Sequence, residues 1–73
     1  MMFKISKEDI EFITNNIPDG LNVIEEANKK DDLNILLLAI DAQITYQGFD
    51  GDYNLNDFGL IAQKMYDRIY YEN

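Results

Sequence analysis

Asp50, Asp52, Asn54 and Asn56 alternate along the chain, placing side-chain oxygens as they occur at the opening of a calcium-binding loop. The remainder of such a loop is missing. Its sixth position, where the chain turns on a glycine, is Leu55, and its twelfth, which supplies a bidentate glutamate, is Ile61. Four short polar side chains equally suit a glycine-rich connection between helices, and that is the expectation, with no metal. Carboxylates also stand together at Asp31/Asp32. Acid–base work by such a pair needs a cleft that raises one pKa, and 73 residues offer little bulk from which to build one. Nucleophilic catalysis has less to draw on: Cys and His are absent, and the hydroxyls are Ser6, Thr14, Thr45 and five tyrosines. No glycine-rich phosphate loop occurs. A non-enzymatic protein without a cofactor follows as the expectation.

The absence of Cys and His also removes disulfides and the commonest zinc ligands. A domain this small must then be stabilised by helix packing, by oligomerisation or by both. The net charge of −8 is unevenly placed. Residues 31–57 hold six acids and no base, whereas residues 1–30 hold six against four and residues 58–73 two against two. Such a balance argues against direct contact with nucleic acid or an anionic membrane, since both need Lys and Arg to neutralise phosphates. A basic protein partner is compatible with it. Lys4 follows Met1-Met2-Phe3 at once, leaving no apolar signal core, and the longest apolar run, Ile35 to Ile40, is far short of the ~20 residues that span a bilayer. The expectation is a soluble cytoplasmic protein, residues 1–73 forming a single helical domain.

The spacing of apolar residues predicts an all-α fold: a small four-helix domain, with helices near 6–16, 20–30, 32–47 and 56–72. Met2-Phe3-Lys4-Ile5 is expected to lie extended against the body. Ser6 reads as an N-cap with Asp9 in a capping-box position, and Ile5 with Ile10 as a hydrophobic staple. Pro18 ends the first helix because it disfavours the α conformation at Ile17. Asp19 can cap the second, and Asp31 and Asp32 suit the cap and first turn of the third. Gly48 and Gly51 among Asp and Asn mark a loop, after which Asn54 or Asn56 caps the fourth helix, with Asp57 in its first turn. Lys4–Glu8, Lys7–Glu11, Glu25–Lys29 and Glu26–Lys30 are spaced for ion pairs. The expected core is Ile10, Ile13, Ile17, Leu21, Ile24, Leu33, Leu36, Leu37, Ile40, Ile44, Phe58, Ile61, Met65 and Ile69.

The third helix is apolar on two faces. At roughly 100° per residue, Leu33, Leu36, Leu37, Ile40 and Ile44 share one side, and Ile35, Leu38, Ala39, Ala42 and Tyr46 the other. A helix of this kind is covered twice, by its own domain or by its domain and a partner. On the fourth helix, Leu60 and Tyr71 lie behind the apolar stripe with Asp67, while Tyr66 and Tyr70 are expected to line the core margin with their hydroxyls reaching water. The expected contact surface is therefore Ile35, Leu38, Ala42, Tyr46, Leu60 and Tyr71, with Asp31, Asp32, Asp50, Asp52 and Asp57 as an acidic surface toward a basic partner. The closing Tyr66-Asp67-Arg68-Ile69-Tyr70-Tyr71 and the acidic, helical character resemble small phage or mobile-element proteins in general style, and no residue role follows from that. The expected function is a self-associating, regulatory protein-interaction module. The alternative is an acidic decoy that occupies the basic groove of a nucleic-acid-binding protein.

Overall fold

Three of the four described helices begin at a side chain that caps their free N–H groups. In the computed structural model, which describes residues 3–73, α1 spans Lys7–Asn16, α2 Gly20–Lys30, α3 Leu33–Gln47 and α4 Asp57–Glu72. Met1 and Met2 lie outside the described residues, so the extended opening segment is seen from Phe3. Phe3 and Ile5 pack half-buried against the core. Ser6 Oγ accepts from the Asp9 N–H at 3.2 Å, the expected cap of α1. Pro18 and Asp19 form a tight turn in which the Gly20 N–H donates to the Ile17 carbonyl at 2.8 Å. Asp19 occupies the N-cap position of α2 in a left-handed conformation, φ 56°, and its side chain makes no cap bond. The expectation of a side-chain cap there fails because the turn has already fixed its backbone.

One residue pair joins α2 to α3. Asp31 adopts φ 52°, and the N–H groups of Asp31 and Asp32 donate to the carbonyls of Asn28 and Ala27 at 3.2 and 2.9 Å. That is a Schellman closure with Asp in the place usually taken by Gly. Asp31 therefore ends α2 and does not begin α3. Asp32 is the cap of α3, its Oδ1 accepting from the Asn34 N–H at 3.0 Å.

The core is built from Ile13, Ile17, Ile24, Ala27, Leu36, Leu37, Ile40, Ile44, Ala62, Met65 and Ile69. Helix α3 packs on both α2 and α4, and α1 packs on α2. Phe12 stacks on Phe58 with ring centroids 5.6 Å apart, and this closes α1 against α4. Leu33 and Phe58 sit at the core margin, partly buried. Ile10, Leu21 and Ile61 do not join it: Leu21 and Ile61 are each 53% exposed and Ile10 lies at the edge.

The corrections share a cause. In α1 the inward face is Asp9, Phe12 and Ile13, continued by Ile17 at the C-cap and rotated away from Ile10, because Asp9 is 6% exposed and its carboxylate is paired with Arg68. In α2 it is Gly20, Val23, Ile24 and Ala27, rotated away from Leu21. A Cβ at Gly20 would meet the Ile13 carbonyl carbon at 2.7 Å, so the bare backbone of α2 sits directly on α1. In α4, Phe58, Ala62, Met65, Tyr66 and Ile69 face inward and Ile61 falls at the rim.

Of the four spaced ion pairs, Glu26–Lys30 forms, at 3.0 Å. The bond from Lys30 holds the Glu26 carboxyl below its ordinary pKa, so its small contribution is present above that value and fades on acidification. Ile40→Ala and Leu37→Ala should each cost ~2–5 kcal/mol, whereas Leu21→Ala should cost under ~1 kcal/mol as a surface change. Urea unfolding of the three variants checks this.

Candidate interaction surfaces

The loop between α3 and α4 is a miniature hairpin. Phe49 and Leu55 form an isolated antiparallel bridge. Within it the Asp50 N–H donates to the Asn54 carbonyl at 2.8 Å and the Tyr53 N–H to the Asp50 carbonyl at 3.1 Å. Tyr53 takes φ 63°, the left-handed position that follows a type I turn in three-residue hairpins and usually carries Gly. The Asp50 carboxylate folds back into this turn, its Oδ1 accepting from the N–H groups of Asp52 and Asn54 at 2.8 and 3.0 Å. Asn56 fastens the loop to both helices. Its Oδ1 accepts from the Gly59 N–H at 2.8 Å, capping α4, while its Nδ2 donates to the Gln47 carbonyl at the end of α3, also at 2.8 Å. Gly59 then lies directly on the Gly48 carbonyl, where a Cβ would collide.

The five acidic residues lie exposed and are divided between the two ends of α3. Asp31 and Asp32 sit before it, and Asp50, Asp52 and Asp57 after it. Asp32 and Asp50 are committed to backbone N–H groups in their own turns. Among the described residues, no three Asp, Glu, His or Cys side chains are grouped to share a metal ion, and no pocket opens on the surface.

The apolar candidates fall on two outward faces. On α3, Leu38 is 67% exposed and Tyr46 84%, with Ala42 exposed between them. Ile35 is half-buried and packs against the core, as does Ala39, so the uncovered stripe is narrower than the sequence suggests. On α4, Leu60 is exposed and Tyr71 is 82% exposed. Tyr66 lies at the core margin as expected, but Tyr70 does not: it is exposed, with its ring edge-on to Tyr71 at 5.3 Å.

Lys64, which sequence reasoning passed over, completes the α4 face together with Asp67, which helical spacing had already set behind the apolar stripe. Lys64 and Asp67 are exposed beside Leu60 and Tyr71, at i+4 and i+7 from Leu60, a spacing readable in the sequence. Asp67 Oδ1 accepts from Gln63 Nε2 at 3.1 Å. Asp9 and Arg68 were also missed as a pair. Arg68 donates through Nε to Asp9 Oδ2 at 3.0 Å and through a terminal nitrogen to Oδ1 at 2.5 Å. This bond raises the Arg68 pKa above its ordinary value against the opposing effect of burial, so its share of stability is lost only at still higher pH. The only signal was that Arg68 is the sole arginine.

No protein-family model, curated protein or solved structure matches this chain. Among the described residues, no helix is long and apolar enough to cross a membrane.

Because Asp50 is engaged by its own turn, millimolar calcium should leave the melting temperature unchanged relative to magnesium. A selective upward shift with calcium would contradict this.

Proposed function

We propose that this chain is a small acidic, non-enzymatic protein-interaction module that self-associates and regulates a larger partner. The observation that carries the reading is the exposed stripe of Leu38, Ala42 and Tyr46 on α3, opposite the face buried by Leu36, Leu37, Ile40 and Ile44. Large apolar side chains aligned on one outward face are a common mark of a contact surface. Leu60 and Tyr71 on α4 provide a second such face. Tyrosine suits this use because its ring gives contact area at little cost in conformational freedom, and its hydroxyl stays satisfied in water. The decoy reading has weaker support. A basic groove would be met by a continuous row of carboxylates, whereas these stand at two poles with Asp32 and Asp50 turned inward to their own loops.

Sedimentation velocity of the wild type and of Leu38→Glu and Leu60→Glu tests the reading. Both substituted residues are exposed, so both variants should melt like the wild type. The wild type should sediment heavier than one chain at high micromolar concentration, and at least one variant should return it to a folded monomer. A wild type that remains one chain throughout would remove self-association.

A further inference from the structure

The two outward faces differ in their charge, and the difference decides which one a second copy can use. Within residues 31–57 the charged residues flanking the α3 stripe are all acidic: Asp41 three residues from Leu38, Asp31 and Asp32 at one end, Asp50 and Asp52 at the other. The bases nearest in sequence, Lys29 and Lys30, end α2, and Lys30 is already paired with Glu26. A second α3 laid antiparallel would bring acid ends against acid ends, with no base in residues 31–57 to offset them. The α4 face carries both signs. At roughly 100° per residue, Asp67, Leu60, Tyr71 and Lys64 occupy a strip about 60° wide, on the side away from buried Ala62, Met65 and Ile69.

Their order along the helix is symmetric. Lys64 and Asp67 stand equally far either side of a point midway between Met65 and Tyr66, about 2 Å each at ~1.5 Å per residue. Leu60 and Tyr71 stand about 8 Å either side of the same point. A two-fold axis through that point therefore sets each residue at the height of its complement.

We propose, resting on the interaction reading above, that a second copy of this chain docks antiparallel along the outward face of α4. Leu60 packs on Tyr71 of the second copy, Lys64 pairs with Asp67 of the second copy, and the symmetry repeats both contacts. Such a contact is self-complementary, as a two-fold interface requires. The groups are also held ready. Gln63 orients the Asp67 carboxylate through Oδ1, and Tyr70 braces the Tyr71 ring edge-on. Lys64 makes no ion pair among the described residues. One helix pair buries less than the ~800 Å² per partner of a standard interface, so the dimer is weak and forms at high concentration. The α3 stripe with its acidic margins then remains open on the dimer.

Sedimentation equilibrium across the micromolar to millimolar range, with Lys64→Asp, Asp67→Lys and the double exchange, tests the register. All these positions are exposed, and thermal melts of the variants should match the wild type. Each single reversal faces like charges twice and should weaken dimerisation roughly tenfold or more. The double exchange should return it to within about threefold of wild type, since the same pair is restored. The singles also separate local pairing from overall charge. Lys64→Asp makes the chain more acidic and Asp67→Lys less, so if net repulsion alone governed association they would act in opposite directions. Opposite effects, or singles without effect, or a double exchange that fails to recover would overturn the proposed register. A dimer dissolved by Leu38→Glu and indifferent to Lys64→Asp would move the contact to α3 and leave the interaction reading standing. A wild type monomeric across the whole range would remove both.

Discussion

A carboxylate taken out of water must be given a cation and hydrogen-bond donors, or it costs several kcal/mol. Asp9 is the one buried charged residue among those described, and Arg68, fifty-nine positions later, supplies two donors to it. The rest of the structure follows from that pairing. It sets the rotation of α1, because Asp9 inside means Ile10 at the edge. It brings α1 against α4, where Phe12 stacks on Phe58. The same closure is completed by Asn73, which accepts from the Lys4 N–H at 2.7 Å and donates to the Lys4 and Ile69 carbonyls. The guanidinium remains charged wherever the chain folds, so the cation of the pair is always present.

The connections are built with similar economy. Asp31 and Asp32 divide one junction between them, Asp31 closing α2 by its backbone and Asp32 opening α3 by its side chain. Asn56 ends α3 and begins α4 with a single amide. Gly20 and Gly59 let backbones touch where any side chain would hold the helices apart. The two-residue α2–α3 junction and the hydrogen-bonded α3–α4 hairpin leave little slack. That rigidity matters for a surface reading, because an outward stripe is presented in one geometry only.

Helix existence and boundaries were legible because caps, Pro18 and apolar spacing are local signals, and Ser6, Asp32 and Asn56 all act where a helix start demands them. The central helix was legible for the same reason, its length and apolarity leaving no other place for it. Which edge of a short helix turns inward was not. Ile10 and Asp9 in α1, or Leu21 and Gly20 in α2, differ by one position, and the choice is made by partners on other helices: Arg68 on α4 for Asp9, the Ile13 backbone on α1 for Gly20. Hydropathy favours Ile10 and Leu21, and tertiary pairing overrides it. The hairpin at Asp50–Asn54 was hidden too, since Tyr53 occupies a left-handed position normally signalled by Gly. For the contact surface, Leu38, Ala42, Tyr46, Leu60 and Tyr71 stand exposed where helical spacing put them, while Ile35 is drawn half into the core.

The α4 face depends on the Asp9–Arg68 pair, because Arg68, on the flank next to Lys64, holds to α1 the helix that presents Leu60, Lys64, Asp67 and Tyr71. A double-mutant cycle of Asp9→Ala and Arg68→Ala, followed by urea unfolding, tests this most directly. With Arg68 partly exposed, the coupling should be ~1–3 kcal/mol, and Arg68→Ala, which strands the buried carboxylate, should be partly rescued by adding Asp9→Ala. Two single effects that simply add would contradict the account, and the orientation of α1 would then have to rest on apolar packing alone.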